Sequence, residues 1–217
     1  MIPLQFALRR RMMMAGGGGA PISELPLGTL INVGTDGGAD TPNYEIADKD
    51  NLASGGVVLV RKNVHSQSAF GSSIAYPGGT LDNLIKTTIY NQTPQKLRDK
   101  MMDVTFTLSG SGDITRKMFA LTWTMTGYGA NNGTTEGKAL QLYTSDVSRI
   151  KKLNGSAGTW WLSSRYGTSY SCYININGII SSYLPSYSYG VVPAFVIPSE
   201  TPYNVTPNTD GSYNLIL

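Results

Sequence analysis

A chain of 217 residues suits one domain with appendages, and its 14% charged content, against roughly 25% in an average soluble domain, means that Ser, Thr, Asn, Gly and Tyr make up most of its polar surface. The net charge of +3 is small and partly gathered in Arg9, Arg10 and Arg11, so no basic face is spread over a folded domain and no nucleic acid is expected as a partner. One cysteine, Cys172, and one histidine, His65, exclude an intramolecular disulfide and leave no metal and no cofactor expected.

In chain order, residues 1–20 read as an anchoring arm with a glycine linker. Ile2, Leu4, Phe6 and Leu8 alternate as in a strand, although Leu4, Leu8 and Met12 also fit a helical stripe. Gly16–Gly19 then form a flexible linker. The arginines follow the apolar stretch instead of preceding it, the wrong order for a signal peptide, and no apolar run reaches the ~18 residues of a membrane span. No export signal and no membrane insertion are therefore expected.

The domain proper is expected over 21–198. Thr29–Val33 and Gly56–Lys62 read as strands joined by a Gly/Asp-rich loop. Leu81, Leu84, Ile85 and Ile89 stand at helical spacing and predict a helix over Leu81–Tyr90. Thr93 before Pro94 reads as an N-cap with proline at the first helical position, predicting a second helix to about Met102. Val104–Ser109 and Lys117–Met125 read as strands, Gly127–Gly137 as a loop, and Ser145 or Asp146 as the cap of a short helix to Leu153. A strand begins at Trp160; Cys172, Ile174 and Ile176 alternate as a strand; Asn177-Gly178 predicts a type I′ hairpin turn into Ile179–Tyr183. Val191–Ile197 is the last strand, with Pro193 favouring an edge or a bulge, and 199–217 reads as a Pro/Asn/Thr-rich tail. The class is α+β: a mixed sheet with two main helices, rich in loops.

Catalytic motifs are thin. Gly127-Tyr128-Gly129-Ala130-Asn131-Asn132-Gly133 is one residue too long for a dinucleotide loop, and Gly137-Lys138-Ala139 lacks the hydroxyl that a P-loop needs. Asp36, Asp40, Asp48 and Asp50 do not have calcium-loop spacing and read as turn formers. His65 reads as structural, because no partner for a general base can be placed. The positive signal is the stretch Ser163–Tyr189, in which Arg165 is the lone charge among Tyr166, Tyr170, Tyr173, Tyr183, Tyr187 and Tyr189. Tyrosines offer large amphipathic contact area at low entropy cost, with Ser, Gly and Asn adapting around them. These seven residues are the candidate ligand-binding face, with packing or a subunit contact as the alternative use.

The run Leu153-Asn154-Gly155-Ser156-Ala157-Gly158-Thr159-Trp160-Trp161-Leu162-Ser163-Ser164, followed by Ser188-Tyr189-Gly190-Val191-Val192-Pro193-Ala194-Phe195, resembles a domain of unknown function found in gut-bacterial and prophage proteins, which reads approximately W-W-L-R-S-P … Y-G-(V/I)-R-P-A. Lys117–Thr122 resembles its K-V-F-L-L-S strand and Leu81–Gln92 its L-R-x-W-L-N helix, so the likeness covers roughly 25–198. The opening Met1–Ala15 also resembles the start of phage structural proteins. The resemblance implies a C-type-lectin-like fold and a place in a virion. Ser163 and Val192 stand where the family has arginine, and Arg165 where it has proline, so no anionic ligand is implied. The lectin calcium signature is absent, and a single cysteine excludes the paired catalytic cysteines of formylglycine-generating relatives.

The expectation is a non-enzymatic virion protein, a head or tail decoration or fibre-like adhesin. Ile2, Leu4, Phe6, Leu8, Arg9, Arg10 and Arg11 would anchor it to capsid or tail proteins. It would be a homo-oligomer and would display the tyrosine face to bacterial surface glycans or proteins. A hydrolase acting on cell-wall glycans is the alternative, as is a purely structural role with the face buried against neighbours.

Overall fold

The computed structural model describes residues 19–217. The residues expected to anchor the chain, Ile2, Leu4, Phe6, Leu8 and Arg9 to Arg11, lie outside this range. In chain order the strands and helices are β1 (Ala20–Pro21), β2 (Leu30–Asn32), β3 (Asn43–Lys49), β4 (Gly56–Arg61), β5 (Ser66–Ala69), α1 (80–92), α2 (Gln95–Arg98), β6 (Val104–Leu108), β7 (Gly112–Arg116), β8 (Met118–Ala120), α3 (Asp146–Arg149), β9 (Lys151–Leu153), β10 (Ser156–Gly158), β11 (Trp160–Tyr166), β12 (Tyr170–Ile174), β13 (Ile180–Tyr183), β14 (Ser188–Val191), β15 (Pro193–Pro198), β16 (Pro202–Tyr203) and β17 (Tyr213–Asn214).

Two mixed sheets organise the fold, one of six strands in the order β17-β2-β3-β4-β15-β8 and one of five in the order β13-β12-β11-β14-β5. All pairings are antiparallel except β17 with β2 and β11 with β14. The core lies along β3, β4 and β15 and takes in Tyr44, Ile46, Val58, Leu59, Phe195 and Val196, together with Trp160 of the second sheet. Every residue of β4 is buried, which its unbroken Val/Leu run anticipates for a strand covered on both faces.

Several expectations need correction. The Gly/Asp-rich loop between the first two strands contains a full strand, β3, whose Glu45 and Asp48 are buried with their neighbours. Thr93 does not cap α2. Its hydroxyl donates back to Tyr90 O at 2.7 Å, closing α1, and the extended Pro94 precedes a one-turn α2. Within α1, Leu84–Ile89 is π-wound, where the Thr87 hydroxyl bonds the Asn83 carbonyl. The strand expected over 117–125 stops at Ala120, because Thr124–Thr126 turn into a 3₁₀ segment tied by Thr122. The helix after Ser145 ends at Arg149, and Lys151–Leu153 is a strand.

Asn177-Gly178 does turn a hairpin, but not by type I′. Gly178 has φ +79° while Asn177 is not left-handed; Gly178 N–H reaches Asn175 O and Asn175 N–H reaches Ile179 O. This is a type I turn closed by a left-handed glycine, the three-residue hairpin loop. The last strand is two strands: β14 belongs to the five-stranded sheet, and after Val192 the chain enters the six-stranded sheet as β15, between β4 and β8. Pro193 is therefore neither on an edge strand nor at a bulge; it is the first residue of an interior strand, a position at which proline is tolerated. The stretch 199–217 pairs β16 with β1 and adds β17 as the edge strand beside β2.

Candidate functional site

The β11–β12–β13 register sorts the tyrosines. Trp161 stands opposite Tyr173, Tyr173 opposite Ser181 and Ser171 opposite Tyr183, so these share one face of the five-stranded sheet; Tyr189, next to Gly190, which pairs with Trp160, joins that face. Cys172, Ile174 and Trp160 take the other face and are fully buried.

On the first face the rings form a continuous chain. Trp161 contacts Tyr189 at 4.6 Å and Tyr173 at 6.0 Å; Tyr173 and Tyr189 are 4.8 Å apart; Tyr189 reaches Tyr187 at 6.4 Å, and Tyr187 meets Tyr183 edge-on at 4.4 Å. The chain begins in the core, where Trp161 is 0% exposed, packs on Phe70 at 5.7 Å and donates its indole N–H to Ser68 O at 2.9 Å. It ends in solvent, with Tyr183 38% and Tyr187 47% exposed. Tyr187 beside it raises the Tyr183 hydroxyl, and burial followed by Tyr173 raises that of Tyr189, so these two phenols are neutral near pH 7.

The structure brings together Tyr173, Tyr183, Tyr187 and Tyr189 but not the other three candidates. Tyr166 and Tyr170 face each other at the far end of the β11–β12 pair, on the side of Cys172. Tyr166 stacks on Trp123 at 6.3 Å, and Trp123 meets Tyr128 at 5.9 Å, forming a second aromatic group. The Arg165 guanidinium lies against Gly110 of the β6–β7 turn, where a Cβ would fall 1.4 Å from Nη2, and the Arg165 carbonyl accepts from Asn131 Nδ2 at 2.8 Å. Sequence reasoning missed Trp161 as the root of the chain and Trp123 and Tyr128 as partners of Tyr166. Their only sequence signal is aromatic character, and Trp123 is forty-odd residues from its partner.

Elsewhere several buried charges are paired. Arg61, fully buried, binds Asp36 through Nε at 2.6 Å and Asp40 through Nη2 at 2.7 Å; Tyr44 OH donates to Asp36 Oδ2 at 3.0 Å. Burial acts to raise Asp36, but the Arg61 hydrogen bonds and charge outweigh it and hold the carboxyl below its usual value. His65 is buried, with Nε2 donating to the Asp36 backbone carbonyl at 2.8 Å and Nδ1 2.9 Å from Ser66 Oγ. The Asp36 carboxylate lies 3.9 Å from the ring, too far for a hydrogen bond and already engaged by Arg61. Lys151 and Lys62 both pair with Glu45, which also accepts from Tyr143 OH. Among the described residues no group of three or more His, Cys, Asp or Glu is arranged to hold a metal ion, and no helix is long and apolar enough to cross a membrane.

The paired sequence motifs are neighbours in space. Trp160 pairs in parallel with Gly190, and a Cβ on Gly190 would come within 2.8 Å of Thr159 O and of Val64 Cγ1, so only glycine fits. Ser163 and Val192 are both buried. No curated protein and no solved structure is similar enough to match this chain. The family model described as Domain of unknown function (DUF6273) matches residues 54–199, the span that runs from the start of β4 to the end of β15 and holds the whole five-stranded sheet. By that match, the chain belongs to the DUF6273 family of domains of unknown function.

Proposed function

We propose that this chain is a non-catalytic accessory protein of a bacteriophage particle, whose C-type-lectin-like scaffold displays the tyrosine face to a bacterial surface glycan or protein. The observation that carries the reading is the ring chain from buried Trp161 out to exposed Tyr183 and Tyr187. Rooted rings lose little entropy on binding, and phenols offer both a stacking surface and a hydrogen-bonding tip. The phage setting is supported by the sequence motifs and by the opening residues, with 1–14 as the attachment element.

The hydrolase alternative needs a carboxyl held protonated beside a second carboxylate. Asp40 and Asp210 do line a common pocket, but Ser212 and Asn43 pull Asp210 down to about 2, and Asp40 is tied to Arg61. This favours binding over glycoside hydrolysis.

Two variants test the reading. Tyr183→Ala combined with Tyr187→Ala removes exposed rings only, so the thermal midpoint should hold while capture of host cells, or of their isolated surface glycan, falls at least about tenfold. Unchanged capture would remove the tyrosine face from the proposal. Deleting residues 2–14 should leave a folded domain that no longer joins particles; normal incorporation would remove the arm.

A further inference from the structure

A pocket of about 460 Å³ shares no lining residue with the tyrosine face; it is lined by Leu30, Asp40, Thr41, Asn43, Lys62, Asn63, Ile150, Lys152 and Asp210. It lies on a seam: Lys62, Asn63, Ile150 and Lys152 come from the family segment, whereas Leu30, Asp40, Asn43 and Asp210 come from the flanking segments that complete the six-stranded sheet. The volume suits a monosaccharide or a ligand of similar size.

The pocket's carboxylates are held in place, and its charges are not cancelled by one another. Asp40 is oriented by Arg61 Nη2 at 2.7 Å and by Asn63 Nδ2 at 2.7 Å, while Arg61 already serves Asp36. Asp210 is oriented by Asn43 Nδ2 at 2.9 Å, Ser212 N–H at 3.0 Å and Ser212 Oγ at 2.6 Å. These bonds hold the carboxylate ionised; Oδ1 accepts both Ser212 bonds, while Oδ2, which accepts Asn43 alone among them, keeps lone-pair capacity for a further donor. Lys62 leans on Glu45 at 3.1 Å, and Glu45 is also claimed by Lys151. Lys152 is exposed and has no partner among the described residues. No ion pair joins either lysine to Asp40 or Asp210 among the described residues, so both signs remain available to a ligand.

We infer that this pocket binds a small polyhydroxylated zwitterion, its ammonium taken by Asp40 and Asp210 and its anionic group by Lys62 and Lys152. Asn43, Asn63 and Thr41 meet the hydroxyls, and Leu30 and Ile150 meet the ring carbons.

The test titrates the full chain with four probes, glucosamine 6-phosphate, glucosamine, glucose 6-phosphate and glucose, followed by amide chemical shifts. Glucosamine 6-phosphate should bind most tightly and shift the amides of the pocket residues. Each singly charged probe should be weaker by about tenfold, and glucose weaker still. Asp210→Asn should weaken glucosamine 6-phosphate toward the level of glucose 6-phosphate. Lys152→Ala, a substitution of an exposed side chain that is unpaired among the described residues, should weaken it toward the level of glucosamine. No binding, shifts confined to another face, equal affinity for all four probes, or indifference to both substitutions would each overturn the assignment. The Tyr183 and Tyr187 double variant should bind the probe normally, which separates this site from the tyrosine face.

Discussion

Two buried carboxylates, one beside a guanidinium and one without, make opposite contributions to stability. Asp36 is held below its usual value because Arg61 outweighs burial. Its stabilisation is thus present above the unfolded carboxylate value, near 4, and is lost as the pH falls through the lower folded value. Arg61→Met leaves Asp36 buried and unpaired. At neutral pH it should cost about 3–5 kcal/mol in denaturant unfolding, with the deficit against wild type shrinking as the pH falls through the raised value that burial alone gives Asp36 in the variant, and on down to the lowered value in wild type. A deficit independent of pH would assign the loss to packing alone. Asp48 has the reverse sign. Burial pushes its carboxyl up and outweighs the hydrogen bonds that oppose it, chief among them the Leu52 N–H, which Oδ2 accepts at 3.1 Å. With a raised folded value, its favourable contribution is present at acid pH and is lost as the pH rises through that value. Asp48→Asn keeps an acceptor for Leu52 and removes the charge. The variant should be more stable than wild type at pH 7, on the order of 1 kcal/mol, with the difference vanishing at acid pH. Lower stability at pH 7 would mean that the Asp48 charge is compensated.

At the scale of elements, the hairpin of β12 and β13 shows what local chemistry can and cannot decide. Gly178 is left-handed, and a Cβ there would lie 1.8 Å from the Asp146 carbonyl at the start of α3. Gly178→Ala combines the left-handed penalty of roughly 1–2 kcal/mol with a backbone clash, so it should lift the turn off α3. Thermal unfolding should register a loss above about 2 kcal/mol, and amide exchange should quicken over Asn175–Ile180; a neutral substitution would mean that the turn does not rest on α3. The Asn-Gly pair marked this hairpin in the sequence, but the turn type depended on Asn175, whose side-chain oxygen accepts from the Asn177 and Ile179 amides. The apolar runs of β4, β11 and β12 and the helical spacing of α1 were legible for the same reason, since burial imprints a period on the chain. Strand β3 was not. Its Glu45 and Asp48 look like loop residues until Lys151, more than a hundred positions away, is seen to neutralise Glu45. The tyrosine face was half legible. Composition flagged all six rings, and plain alternation sets Tyr170 and Tyr173 on opposite faces of β12, but the strand pairing that brings Tyr183 and Tyr189 to the face of Tyr173 is encoded by no local pattern.

Across the whole molecule, one residue carries the chain between the two sheets. Val192, fully buried, separates β14 from β15, so the family segment contributes an entire five-stranded sheet but only β4, β15 and β8 of the six-stranded one. Residues outside that segment supply β2, β3 and β17, and β17 covers the edge of β2. The closing stretch therefore has more to do than its Pro/Asn/Thr composition suggests. Tyr213 packs edge-on against Tyr203 at 5.3 Å, Asn204 N–H reaches Asn214 O at 2.8 Å, Asp210 holds Asn43, and Ser212 is fully buried. Deleting residues 205–217 removes β17 and strips the outer edge of Leu30–Asn32. Loss of the Tyr213 and Leu215 packing should lower stability by about 2–4 kcal/mol, an upper figure because the unfolded chain also buries part of this surface. The bared edge of β2 offers unpaired N–H and C=O groups to other chains, so the truncated protein should also associate more strongly with rising concentration. Denaturant unfolding and light scattering read the two effects separately. A truncated chain that keeps the full-length midpoint and associates no more than the full chain would show that β17 is an ornament on a sheet complete without it, and the zwitterion pocket would then have to survive the loss of Asp210.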